Sequence, residues 1–256
     1  MKLTEYLEII AYDIAFWMTA FQNPEFPIGQ LGDVCLDVTG KLRTAAIIAL
    51  LTKADSDAFF HNLMRSARCR LQYLQRLRDA RRTGEHHHAS GRVDAFLDAV
   101  AAQDFGTGRQ IATLSPSEWQ RGHEYEDDYC YAQIVHGLIA PPGSRPEPAP
   151  LFARFEGVLA GVPDARLGVV RALAERDQAA FEIAFDALIA RRTGQIEADM
   201  ARKRIEDPPV VAERQVYVEG LALLRIAERL GLSTQTEYLY CPSIARVSMH
   251  SPFPGA

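Results

Sequence analysis

Residues 123–131 read HEYEDDYCY and place His123, Glu124, Glu126, Asp127 and Asp128 among Tyr125, Tyr129 and Tyr131. Carboxylates beside a histidine can ligate a metal, exchange protons or attract a basic partner. A zinc protease helix needs two histidines one turn apart, so that both nitrogens reach one ion. Here Asp127 stands four positions after His123, and the next histidine is His136. A di-iron bundle needs Glu-x-x-His from two helices, and HEYEDDYCY supplies none. No catalytic residue and no metal ligand is assigned from this stretch, and no cofactor is expected.

Helical geometry sharpens the choice. At about 100° per residue, Tyr125, Tyr129, Tyr131, Ala132, Ile134, Val135, Leu138 and Ile139 form one apolar arc. Glu126, Cys130, Gln133 and Gly137 fall opposite, while Glu124, Asp127 and Asp128 project within or beside the apolar arc. Carboxylates there need cationic or hydrogen-bonding partners, or else an uncovered surface. Arg65, the arginines of the SARCR that follows it (Arg68, Arg70), or Arg121 are one set of candidates. The other reading is a surface that takes a basic macromolecule, with tyrosines giving rigid contact area and carboxylates steering.

Other chemistry-bearing residues organise less well. His86, His87 and His88 cannot all face one ion and read as a solvated loop. Gly106 and Gly108 in DFGTGRQ follow no strand and lack a further glycine of the dinucleotide fingerprint, so a turn is expected. No GxSxG occurs, and Cys35, Cys69, Cys130 and Cys241 are widely separated, as small buried hydrophobes of a reduced, cytoplasmic protein would be. In the stretch from Val218 to Leu230, Glu219 and Arg225 fit either an exposed or a buried pair.

The elements that must position these residues read as helices. In the first twenty residues, Leu7, Ile10, Ile14, Met18 and Phe21 recur at three- and four-residue steps. Helices follow over about Asp33–Thr52 and, from an N-cap at Asp55 or Ser56, through Arg82. A short one covers VDAFLDAVAAQDF. SPSEWQ resembles a capping box, with Ser115 as N-cap, Pro116 at the first helical position and Glu118 beyond. It predicts one helix from Pro116 to about Ile139. After the proline-rich connector 141–150 come three more helices and another stopped by Gly231. The expected fold is all-α: one domain over residues 1–256, an irregular bundle of paired antiparallel helices without solenoid repeat. Its halves, 1–140 and 151–256, meet through that connector.

The composition agrees. The 256 residues are 48% hydrophobic and 24% charged, ordinary for a globular chain. A formal charge of −5 argues against direct nucleic-acid binding, which needs clustered cations. Glu5, Glu8 and Asp13 interrupt the first apolar stretch, so neither a signal core nor a membrane span is expected.

Four stretches together resemble the immunity protein 49 family: AFWMTAF (15–21), EYEDDYCYA (124–132), AFEIAFDALIARR (180–192), and the C-terminal order VYVEGLALLRIAERLGL…EYLYCPSIAR (216–246). The resemblance implies an all-helical, non-enzymatic immunity protein that binds and occludes a cognate secreted toxin domain in the producer's cytoplasm, as in polymorphic-toxin or type VI secretion systems. It brings no catalytic residues with it. Glu124, Tyr125, Asp127, Asp128, Tyr129 and Tyr131 are the expected toxin-binding patch, inferred from the helix geometry above. The competing readings are a helical enzyme with a carboxylate-bound divalent cation and a general helical adaptor with many weak partners.

Overall fold

The computed structural model describes residues 2–141, 143, 147–202 and 207–254. In chain order its helices are α1 (Leu3–Gln22), α2 (Ile28–Lys53), α3 (Ser56–Asp79), α4 (Asp94–Ala101), α5 (Phe105–Leu114), α6 (Glu126–Leu138), α7 (Ala149–Leu159), α8 (Ala165–Glu175), α9 (Gln178–Ala201), α10 (Pro208–Gln215) and α11 (Val218–Leu230). Among the described residues no strand forms; two isolated bridges, Arg121–Glu124 and Tyr238–Cys241, occur in loops. The all-α expectation holds.

Local chemistry sets many of the ends. Asp55, Asp104, Asp164 and Asp177 each stand before a helix and accept a hydrogen bond from a first-turn backbone N–H at 2.8–3.0 Å. Such capping satisfies donors that would otherwise lack partners. Gly231 ends α11 with φ at +89°, a left-handed position that glycine occupies without strain. The Asp104 cap overturns one expectation: DFGTGRQ opens α5 instead of forming a turn, and Gly108 lies buried with its Cα facing Ile139.

A long hairpin carries the rest. α2 and α3, joined through Ala54 and Asp55, pack along one another around Leu31, Val38, Ile47, Phe59, Phe60, Leu63 and Tyr73, all at most 1% exposed. α1 and α10 cover one side of α2, while α4 packs on α3 and α11. α6 lies against α7 and α8, and α8 pairs with α9. One cluster of buried residues therefore runs from Ala20 to Phe253 across both sequence halves. Residues 142 and 144–146 of the proline-rich connector lie outside the described residues.

Polar groups fix how these helices meet. Arg43 on α2 donates through Nε to Asp98 (2.7 Å) and through Nη1 to Asp94 (2.8 Å), both on α4. Ser66 on α3 donates to the second oxygen of Asp98 at 2.6 Å. Burial pushes the Asp98 carboxyl up to about 6, against the pull of Arg43, and the two aspartates hold Arg43 above its ordinary value. Arg70 donates to the carbonyls of His87, His88 and Ala89. That gathers the histidine segment into a short 3₁₀ turn against α2. His87 and His88 are half-buried there, not in a solvated loop. The four cysteines are buried and unpaired, as expected. Glu219 and Arg225 form no pair: Arg225 reaches Glu228 and the carbonyls of Arg246 and Val247, and Glu219 accepts from the Tyr217 hydroxyl.

Two tests follow from the buried charges. Arg43→Met strands the enclosed Asp98 and is expected to lower unfolding stability at pH 7 by about 3–5 kcal/mol. Part of that loss returns near pH 5, where the stranded carboxyl takes a proton. His136, buried against Phe96, is driven down to about 3 by desolvation and then by Arg70. Its folded value lies below the unfolded value of 6.5. Below pH 6.5 the unfolded chain therefore binds a proton that the fold refuses, and stability falls with pH. Urea unfolding of wild type and His136→Leu should show wild type losing about 2 kcal/mol relative to the variant between pH 7 and pH 5.

Candidate functional site

The acidic stretch sits where a loop hands over to α6. A single helix from Pro116 does not form. Ser115 caps the C-terminus of α5, its hydroxyl donating to the Ile111 carbonyl at 2.9 Å, and α6 begins at Glu126. Gly122 has φ at +86°, which a helix cannot contain. The loop instead folds back over α6. Tyr129 donates to the Ser117 carbonyl (2.6 Å) and Gln133 to the Pro116 carbonyl (2.9 Å). Glu124 ties the loop to itself and to the segment before α4, accepting from the Gln120 N–H at 2.9 Å and the Gly91 N–H at 2.5 Å.

Past this turn α6 is enclosed on nearly every side. Cys130 and Gly137, expected on a polar face, are buried, because α5, α7 and α8 surround the helix. Tyr129 and Tyr131 are 4% and 1% exposed. As members of the expected contact patch these two must be corrected: they support it from below and present no surface. Tyr125, the residue before the helix, is 79% exposed.

The carboxylates are held by arginines, though not by those of SARCR and not by Arg121. Arg166 at the start of α8 reaches Asp127 (3.2 Å), Asp128 (2.8 Å) and Asp164 (3.0 Å). Asp164 also takes Arg191 of α9 at 2.9 Å. Arg154 of α7 takes Glu126 at 2.6 Å and lies over the Tyr129 ring, while Arg166 lies over Tyr131. Burial raises the Asp164 carboxyl, but Arg166 outweighs it and the group sits below its ordinary value. Three acids in the first turn of α6 also suit the positive end of the helix dipole. The side chains of Asp127 and Asp128 stay 31% and 37% exposed, so pairing leaves them in view of solvent. No motif announces these partners, since Arg166 lies 38 and 39 residues from its aspartates.

Beside the patch opens a cleft of about 560 Å³ lined by His86, Arg92, His123, Glu124, Tyr125 and Asp128. Arg92 donates to His86 Nε2 at 2.8 Å. Desolvation, then Arg92, lowers the His86 value, which favours the neutral ring. Among the described residues no group of three or more His, Cys, Asp and Glu side chains is arranged to hold a metal ion. The aspartates turn to Arg166 and Glu124 to backbone N–H groups, where a cation site would need them to converge.

The fold and this site define an all-helical protein that displays a tyrosine and arginine-anchored carboxylates at the mouth of a cleft. Residues 37–245 match the family model of immunity protein 49, and the chain belongs to that family. No curated protein and no solved structure matches it. Among the described residues no helix is long and apolar enough to cross a membrane.

Arg166→Met removes the shared counter-ion from Asp127, Asp128 and the enclosed Asp164. With the aspartates of α6 partly solvated, the expected destabilisation is about 1–3 kcal/mol, at or below the range for buried pairs. Urea unfolding at neutral pH measures it; a loss below about 0.5 kcal/mol would mean that water replaces the guanidinium.

Proposed function

We propose that this protein neutralises a cognate toxin domain by binding and occluding it, without catalysis of its own, in the cytoplasm of the producing cell. The observation that carries the reading is membership of the immunity protein 49 family across residues 37–245. The α6 site supports it and gives the contact a place. A partner would meet Tyr125 first, then Asp127 and Asp128, with the cleft beside them to receive a protruding side chain.

Charge at this place favours a basic partner. Glu124, Glu126, Asp127, Asp128 and Asp164 outnumber the arginines paired with them, Arg154, Arg166 and Arg191, with Arg92 a further cation in the adjoining cleft. An acidic surface raises association above the neutral range of about 10⁵–10⁶ M⁻¹s⁻¹, an advantage when the target is lethal. Tyr125 supplies rigid apolar area at small entropic cost. The tight network beneath keeps the carboxylates ordered before contact, so little ordering remains to be done on binding.

The test starts from the neighbouring reading frame: its toxin domain should co-purify with the chain and lose toxicity when co-expressed with it. Tyr125→Ala, at a position whose side chain makes no cap hydrogen bond, should weaken the complex at least about tenfold, mainly through faster dissociation. Asp127→Asn with Asp128→Asn should slow association several-fold at low salt, with the difference shrinking at high salt. If both variants bind as wild type does, the contact surface lies elsewhere.

A further inference from the structure

α1 is apolar on two sides. Its inner side buries Ile10 and Phe21, at 1% and 4% exposure. Its outer side displays Ile9, Tyr12 and Phe16 at 51%, 74% and 56% exposure. Their three- and four-residue spacing sets them in one row about 10 Å long. A helix at the surface of a globular fold ordinarily turns polar residues outward, and large apolar side chains exposed in a contiguous row mark an interaction surface.

The charges around the row say what covers it. Glu5 and Glu8 are exposed on the same outer side, and Leu3–Gln22 contains no lysine or arginine. Lys41, the cation nearest Asp13, is already shared between Asp13 (3.1 Å) and Asp37 (2.8 Å). A second copy of this chain meeting it α1 to α1 would bring the same acidic helix and offer Glu5 and Glu8 no cation beyond Lys2. An anionic membrane would repel them, since helices that lie on such membranes carry lysine and arginine. The fitting occupant is a protein surface with apolar side chains rimmed by basic ones.

We propose that the outer face of α1, through Ile9, Tyr12 and Phe16 with Glu5 and Glu8, is a second contact surface for a basic-rimmed apolar region of the toxin domain. This rests on the immunity reading above but not on the α6 patch. α1 precedes the matched residues 37–245, so AFWMTAF (15–21) lies outside them and the match lends this surface no support.

The experiment uses the full chain and the purified toxin domain from the neighbouring reading frame, with binding followed in real time. Tyr12→Ser with Phe16→Ser replaces two exposed side chains, and circular dichroism and Tm check that the fold persists. The expected result is at least a tenfold loss of affinity, and Glu5→Lys with Glu8→Lys should slow association several-fold at low salt. If Tyr12→Ser/Phe16→Ser binds within twofold of wild type while Tyr125→Ala is weakened, α1 is no contact surface and the immunity reading stands. If wild type binds no toxin domain and gives no protection, both fall together. Sedimentation showing a wild-type dimer that the serine variant dissolves, or capture of wild type by phosphatidylserine vesicles, assigns the face to another occupant and overturns the proposal.

Discussion

The Arg166 guanidinium decides where the start of α6 can lie. Four carboxylates within five residues could not sit against other helices without a cation to meet them. Arg166 meets two of them and also the Asp164 that caps its own helix, while its planar face covers Tyr131. α6, α8 and, through Arg191, α9 are thereby referred to one group. The acids keep one side toward solvent because their pairing is completed from the other.

Arginine does the same work for the loops. Arg76 donates to the carbonyls of Asn23, Pro24 and Phe26 and fixes the turn between α1 and α2. Arg70 gathers the carbonyls of residues 87–89, and Arg246 binds Glu228 together with the carbonyls of Gln235 and Thr236. A fork of several N–H donors suits backbone oxygens that no helix satisfies. Long connections are thus held in one shape.

The exposed aromatic residues stand out against that background. Most rings are buried, yet Tyr125, Tyr12 and Phe16 face outward, each with carboxylates close by in sequence. Burial gives little reason for them, since each leaves most of its apolar area in water, and of the three only Phe16 has an aromatic neighbour among the described residues, Trp17, edge-on at 5.0 Å. Their common setting, a ring beside negative charge, is what the two proposed contact surfaces share.

How much of this was legible in the chain depends on the distance over which each signal acts. The helices around Leu7–Phe21, Asp33–Thr52 and Val218–Leu230, the cap at Asp55 and the stop at Gly231 follow from spacing and short-range capping, which the sequence carries within a turn or two. The family likeness, spread over hydrophobic patterns and a few polar anchors, was also readable. The capping box at Ser115 misled because the same local signs serve a helix end when Gly122 and the backbone bonds of Glu124 turn the chain back. Tertiary structure alone decided that Arg154 pairs with Glu126 and Arg166 with Asp127 and Asp128, and that Tyr129 and Tyr131 are buried while Tyr125 is not. Burial and ion pairing are set by what other elements bring alongside, so local sequence fixed the character of α6 and packing fixed which of its faces remained open.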